Sequence, residues 1–258
     1  MGIRPAKDAI GALGYHAANP IRRGMATAAR RCEIQGAVVR SFFSILMIAA
    51  AGTAQAAAIS GHIDVTSEGK ALRPEEAQDA VVYFRPKLPP RVKAAAAPYV
   101  MGTRRKQFTP RVLPITLGSQ IRFPNEDPIL HNAFSTSKDN AFDVRLYGEG
   151  EGQVVTFNHV GYVRVYCNVH HSMIGHVLVL DTPYFAHPDS SGNFRLGDVP
   201  AVAGDLVVWH ERATPWVGEV TPGANTTQAV KLDLSQRRVP PHMNKFGKPY
   251  GRSSDGGY

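Results

Sequence analysis

Three side chains with soft donor atoms lie close together in the chain: Cys167, His170 and Met173. An alternating apolar run at 163–166 leads into them and a second apolar run at 174–180 follows, so we expect a loop between two strands. A thiolate, an imidazole and a thioether suit copper better than magnesium or calcium, which prefer oxygen ligands. A trigonal copper site needs one more imidazole from elsewhere in the chain.

His131 is the best candidate for that imidazole, because it follows a predicted strand and the turn at 125–128, and precedes Asn132. His171 is the alternative to His170, although two adjacent side chains rarely point at one metal. The remaining histidines lack ligand-like spacing, and packing or surface roles are favoured for His159, His176, His187, His210 and His242. For Met173 the alternative is an ordinary core methionine.

The first 56 residues have the features of an export signal. Arg40 precedes an apolar core at 42–51 that is short for a membrane span, and Ala54-Gln55-Ala56 matches an Ala-x-Ala cleavage site. We therefore predict a leader at 1–56, a periplasmic mature protein and no stable membrane insertion after cleavage. An N-terminal membrane anchor is the alternative.

Export has a consequence for the cysteines. The chain has two, and Cys32 would leave with the leader, so Cys167 would be the only thiol of the mature protein. An intramolecular disulfide is then impossible. A lone thiol in an oxidising compartment is liable to oxidation unless it pairs with the cysteine of a partner or binds a metal. A buried, inert cysteine is the alternative.

The charge of the chain does not indicate nucleic acid. The net charge of +8 falls to +3 without residues 1–56, because 22 basic and 19 acidic residues then remain. The 24 glycines and 19 prolines, with few long helical patterns after residue 57, favour an all-β protein.

Short alternating strands at regular spacing predict a Greek-key β-sandwich over 98–182. Residues 57–97 and 183–235 also contain strand patterns, and together they predict a second, small β-sandwich module that is discontinuous in sequence. Residues 236–258 show no periodicity and are predicted to be a disordered tail.

The residues at 123–127, His131-Asn132 and 166–173 together resemble the cupredoxins, the plastocyanin family of blue copper proteins. The short Cys-x2-His-x2-Met loop is similar to the amicyanin branch of that family. Two positions depart from the pattern: Asn168 stands where relatives often carry Ser or Thr, and His171 replaces the proline usual in the amicyanin loop.

The resemblance implies one type 1 copper ion with His131, Cys167 and His170 as ligands and Met173 as the weak axial ligand. Asn132 would support the ligand loops by hydrogen bonding. The resemblance also implies redox protein partners, a cytochrome c or a dehydrogenase, which His170 would face through an apolar surface.

A weaker resemblance links 57–86 and 183–234 to a carboxypeptidase-regulatory-like (transthyretin-like) module, through 69–72, 80–84, 191–194 and Val199-Pro200. It implies binding or spacing rather than catalysis. We therefore expect a carrier of single electrons and not an enzyme, because no acid–base pair or activated nucleophile is visible. A copper carrier without electron transfer and a metal-free structural module are the alternatives.

Overall fold

The structure, a computed structural model, describes residues 57–235 and 243–250. The predicted leader at 1–56 lies outside the described residues, as do residues 236–242 and 251–258 of the predicted tail. Within the described part of the chain, no helix is long and apolar enough to cross a membrane.

The regular secondary structure of the described chain is almost all β-strand, which confirms the predicted all-β class; one 3-10 helix, Pro74–Asp79, follows β2. The first nine strands are Ala57–Ser67 (β1), Lys70–Ala71 (β2), Val81–Pro86 (β3), Tyr99–Val100 (β4), Gly102–Arg104 (β5), Gln107–Thr109 (β6), Val112–Thr116 (β7), Gln120–Asn125 (β8) and His131–Ser135 (β9). The others are Phe142–Tyr147 (β10), Gly150–Thr156 (β11), Gly161–Tyr166 (β12), Ile174–Leu180 (β13), Phe185–Ala186 (β14), Asn193–Val199 (β15), Gly204–Trp209 (β16), Trp216–Val220 (β17) and Thr226–Asp233 (β18).

Strands β4–β13 form two sheets that face each other across one hydrophobic core. The first sheet has the order β10-β9-β12-β13-β7, and the second has the order β11-β8-β5-β6, with β4 paired to β8. The core between them is apolar and includes Phe123, Ile121, Val165 and Val177, together with Cys167 and Met173.

The remaining strands form two more sheets with a core of their own. One sheet has the order β15-β1-β18 with β2 on β1, and the other has the order β14-β3-β16-β17. Their core includes Ile59, Phe84, Leu206 and Val230. Strands from both ends of the described chain therefore meet here, with β1 and β18 running parallel.

β13 joins these groups of strands because it is buried on both faces. Val177 and Val179 point into the core shared with Cys167. Leu178 and Leu180 point the other way, to a cluster with Val81 and Trp209 from the second group. Successive side chains along a strand point to opposite faces, so the residues of β13 alternate between the two cores. This explains why all seven residues of β13 are buried.

A network of polar side chains, buried at His176 and Glu211 and partly buried elsewhere, connects the two groups of strands. Arg111 pairs with both carboxylate oxygens of Glu211, which also contacts Nε2 of His176. The hydroxyl of Tyr162 lies 2.7 Å from Nδ1 of His176, and Arg164 Nε donates to that hydroxyl at 2.9 Å. Since a carboxylate only accepts, Nε2 carries the proton, and in the neutral ring Nδ1 accepts from the hydroxyl of Tyr162. Burial lowers the pKa of His176, in keeping with the neutral ring.

Glu211→Gln is expected to lower the free energy of unfolding by about 2 kcal/mol at neutral pH, because it removes the charge of a buried carboxylate that accepts from Arg111 and His176. Urea denaturation measures the change. Glu219→Gln is the control, since its carboxylate is an exposed partner of Lys87 and exposed ion pairs contribute little. Equal effects of the two substitutions would contradict the assigned role.

The same pair predicts a pH dependence. Burial by itself raises the pKa of Glu211, but the hydrogen bonds from His176 and Arg111, with the charge of Arg111, outweigh it and lower this pKa to about 2. A depressed pKa stabilises the fold above the ordinary value near 4.5, and the stabilisation is lost as pH falls toward 2. The stability difference between the native protein and Glu211→Gln should therefore shrink over that window in urea denaturation.

The division into a domain at 98–182 and a discontinuous second module stays a prediction. Expressed alone, residues 98–182 are expected to fold, because the core around Cys167 is drawn from within that range. A cooperative thermal transition measured by circular dichroism, with copper binding, checks this. An aggregated fragment unable to bind copper would count against the division.

Candidate metal centre

The loop between β8 and β9 is organised by one side chain, Asn125. Its Oδ1 accepts hydrogen bonds from the backbone N–H of Asp127 at 2.9 Å and from the hydroxyl of Thr103 at 2.8 Å. Its Nδ2 donates to the carbonyl oxygen of Ile129 at 2.8 Å. Asparagine commonly stabilises turns by bonding to the backbone two residues on, as it does here. The turn delivers the chain to His131, the first residue of β9.

The second loop connects β12 to β13 and carries the other candidate ligands. Tyr166 at the end of β12 pairs with Ile174 at the start of β13. Inside the loop the N–H of Cys167 donates to the carbonyl of Met173 at 3.2 Å, and the N–H of Met173 donates to the carbonyl of His170 at 3.0 Å. The loop is thus closed by its own backbone, with both ends held by paired strands.

The structure brings His131, Cys167 and His170 together. The Sγ atom of Cys167 lies 3.9 Å from Nδ1 of His131 and 3.7 Å from Nδ1 of His170, and one ligand atom from each residue lies within 4.8 Å of the other two. The two imidazole rings are tilted with centroids 4.9 Å apart. His131 and Cys167 are fully buried and His170 is 5% exposed.

Met173 is also fully buried and belongs to the same core cluster as Cys167. His171, the alternative ligand, is half-buried and its ring packs at 5.8 Å from that of Tyr250. Within the described ranges, the group of residues able to hold a metal contains His131, Cys167 and His170, and no other histidine joins it.

Asp127 orients His131. Its Oδ2 lies 2.9 Å from Nε2 of His131, and a carboxylate can only accept, so Nε2 carries the proton and Nδ1 presents a lone pair toward Cys167. The backbone N–H groups of Arg105 and Lys106 also donate to this carboxylate, at 2.7 and 2.9 Å. Burial raises the pKa of Asp127, but these hydrogen bonds outweigh it and the pKa is lowered, so the carboxylate is ionised.

Asn132 joins the two loops that carry the ligands. Its Oδ1 accepts a hydrogen bond from the N–H of Asn168 at 3.3 Å. Its Nδ2 donates to Oδ1 of Asp143 at 2.8 Å and to the carbonyl oxygen of Arg145 at 2.9 Å. A register shift between Asp143 and Leu146 brings both acceptors to one amide, as bulges near functional sites often do. The side chain of Asn132 is therefore held at both ends.

Sequence reasoning missed Asp127 and Asp143, which contact His131 and Asn132. Asp127 lies four residues before His131 in a turn with an Asn-x-Asp pattern, and that spacing is a signal that could have identified it. Asp143 lies on a different strand from Asn132, and no local pattern connects them.

No protein-family model matches the sequence, and a comparison with curated proteins gives no match. Among solved structures, similar ones include amicyanin from Paracoccus versutus, at 20% identity over 38% of this chain and 98% of that one, with a TM-score of 0.31. A purple cupredoxin from Nitrosopumilus maritimus is 21% identical over 32% of this chain and 99% of its own, with a TM-score of 0.29.

A copper-containing nitrite reductase from Thermus scotoductus SA-01 is 26% identical over 37% of this chain and only 27% of its own, with a TM-score of 0.31. The choice of metal for the present site rests on its own residues. The resemblance of the second group of strands to a transthyretin-like module stays a prediction.

The donor set fits copper. Two imidazole nitrogens and a thiolate suit both Cu(I) and Cu(II), and a buried thioether in the same core matches a weak axial ligand. The hydrogen bond from Nε2 of His131 to Asp127 leaves only Nδ1 for a metal, on the side of Cys167. Such outer hydrogen bonds raise the basicity of a ligating histidine and fix its tautomer.

Asp127→Ala is expected to weaken copper binding by about 10-fold to 100-fold, the usual loss when the outer partner of a ligating histidine is removed. Competition against a chelator of known affinity measures it. Glu126→Ala is the matched control, because Glu126 precedes Asp127 and pairs with Arg104 at the surface. Unchanged affinity in Asp127→Ala would contradict the role given to this carboxylate.

Proposed function

We propose that this protein is a type 1 copper protein that carries single electrons between redox partners. The observation that supports this most directly is the convergence of two imidazole Nδ1 atoms on the buried Sγ of Cys167. Soft metal ligands that are buried away from water are typical of electron-transfer copper sites.

Copper bound here would supply a one-electron couple between Cu(I) and Cu(II). The protein's own residues hold the ligands in place. Cys167 and Met173 are joined by a backbone hydrogen bond, His131 is fixed by Asp127, and Asn132 keeps the two loops at a constant separation. Because these supports do not involve the metal, they favour one ligand geometry in both oxidation states.

His170 is proposed as the exit for the electron. Unlike His131, it reaches an apolar depression formed by Leu130, Leu146 and Val169, with Pro128 and Ile129 beside them. Leu130 is 55% exposed and Leu146 is 56% exposed, which is unusual for leucine side chains. A small apolar face suits brief encounters, so a cytochrome c or a dehydrogenase is the proposed kind of partner.

The proposal places the mature protein in the periplasm and gives it no catalytic activity of its own. The location rests on the export features of the first 56 residues. The absence of catalysis is proposed because the ligand set already contains four donors, which leaves no position for a substrate.

Copper carriage without electron transfer is the second candidate. The same thiolate, imidazoles and thioether are soft donors that hold Cu(I) well, and the buried position of Cys167 would protect the cargo from oxidation. The two functions differ in how the site responds to Cu(II).

Addition of Cu(II) to the mature protein is expected to produce an intense thiolate-to-copper band in the visible spectrum. Cys167→Ser should abolish it, because the thiolate is the source of the transition. His62→Gln is the control, since His62 lies on β1 in the other group of strands.

Tight Cu(I) binding without the band would favour the copper carrier over the electron carrier. Absence of binding to either ion would leave the metal-free structural module. Persistence of the band in Cys167→Ser would show that the ligand assignment is wrong.

A further inference from the structure

Residues 243–250, named here the C-terminal strap, lie in the region predicted to be a disordered tail, yet they form a turn. The N–H of Asn244 donates to the carbonyl of Lys248, and the N–H of Gly247 donates to the carbonyl of Asn244, both at 2.9 Å. Oδ1 of Asn244 accepts from the N–H groups of Phe246 and Lys248 at 3.0 and 3.1 Å. Gly247 has a φ of +71°, which glycine adopts readily. The strap therefore has a defined local conformation.

Lys245 in this turn completes a closed ring of hydrogen bonds. Its backbone N–H donates to Oδ1 of Asn168 at 3.1 Å, and its Nζ donates to Oδ2 of Asp143 at 2.8 Å. Asp143 accepts from Asn132, and Asn132 accepts from the N–H of Asn168. The ring therefore contains the neighbour of His131 and the neighbour of Cys167, and Lys245 supplies two of its four links.

Tyr250 makes a separate contact with the same loop. Its hydroxyl donates to the carbonyl oxygen of Cys167 at 3.4 Å, and its ring packs against that of His171. The strap thus meets the loop at two adjacent residues, through the side chain of Asn168 and through the backbone carbonyl of Cys167. A segment more than seventy residues away in sequence covers the loop that carries three candidate ligands.

The charges at this contact agree with a specific fit. The side chain of Asp143 is 38% exposed and that of Lys245 only 20% exposed, so the ammonium is largely withdrawn from solvent onto the carboxylate. A charge-assisted hydrogen bond of this kind is stronger than one between neutral groups. It also neutralises the carboxylate that accepts a hydrogen bond from Asn132.

We propose that Lys245 and Tyr250 are positioning residues for the metal centre, which hold the 167–173 loop in register with His131. The proposal rests on the proposed function only in taking this loop to carry the ligands.

The first test uses the metal-free, full-length protein, so that it does not depend on copper. The double variant Lys245→Met with Tyr250→Phe removes the hydrogen bonds to Asp143 and to the carbonyl of Cys167. The amides of Asn168 and Met173 are then expected to exchange hydrogen at least about fivefold faster. The amides of β13 should keep their native rates. Lys248→Met, an exposed lysine of the same strap, is the matched control and should change neither.

The second test loads the same proteins with copper and follows its removal by a chelator. Release should be several-fold faster in the double variant and native in Lys248→Met. Lys245→Arg combined with native Tyr250 should retain slow release, since the guanidinium can still donate to Asp143.

The two tests separate failure of this proposal from failure of the proposed function. Faster loop exchange in a protein that shows no thiolate-to-copper band supports the strap and rejects the proposed electron carrier. Native exchange at Asn168 and Met173 in the double variant overturns the positioning role. Equal acceleration in β13 also overturns it, because the strap would then only stabilise the fold as a whole.

Discussion

The hydrogen bond from the N–H of Asn168 to Oδ1 of Asn132 is the interaction on which the candidate site depends. It joins two loops that are 36 residues apart in sequence, one carrying His131 and the other carrying Cys167 and His170. A side-chain amide can serve this purpose because it accepts on one side and donates on the other. Both donor bonds of Asn132 end on the bulged strand β10, so the amide cannot rotate without losing them.

The strands around the site explain why these loops can be held so closely. β12 leads into the 167–173 loop and β13 follows it. β13 is packed on both faces. One face belongs to the core that contains Cys167, and the other contacts Val81 and Trp209 from the second group of strands. The hydrogen bonds and ion pairs that join Arg111, Glu211 and His176 also connect the two groups of strands. The C-terminal end of the 167–173 loop is therefore anchored by residues from both groups of strands.

The site has two different environments. On one side, Asp127, Asn132 and Asp143 surround the ligands with hydrogen bonds that are satisfied within the protein. On the other side, His170 borders the exposed side chains of Leu130 and Leu146, which are apolar. The proposed electron transfer would use this asymmetry, because the ligands must stay fixed while one edge remains open to a partner.

The sequence by itself determined the kind of chemistry and the class of fold. Cys167, His170 and Met173 are recognisable because their spacing is local, and the short alternating runs predict strands for the same reason. His131 could be proposed because a single missing imidazole restricts the search. Its neighbour Asn132 was assigned a supporting role by resemblance alone, and the structure places it between the two loops.

Only the tertiary structure decided which residues surround those ligands. Asp143, Lys245 and Tyr250 reach the site from a bulged strand and from a segment with no hydrophobic periodicity, and hydrogen bonds between distant residues leave no periodic signal in a sequence. The partners of the two faces of β13 could not be predicted from the sequence either, because a wholly apolar run is compatible with any fully buried strand. Patterns along the chain report local conformation and donor chemistry, whereas the partners of each side chain are set by which strands the fold makes adjacent.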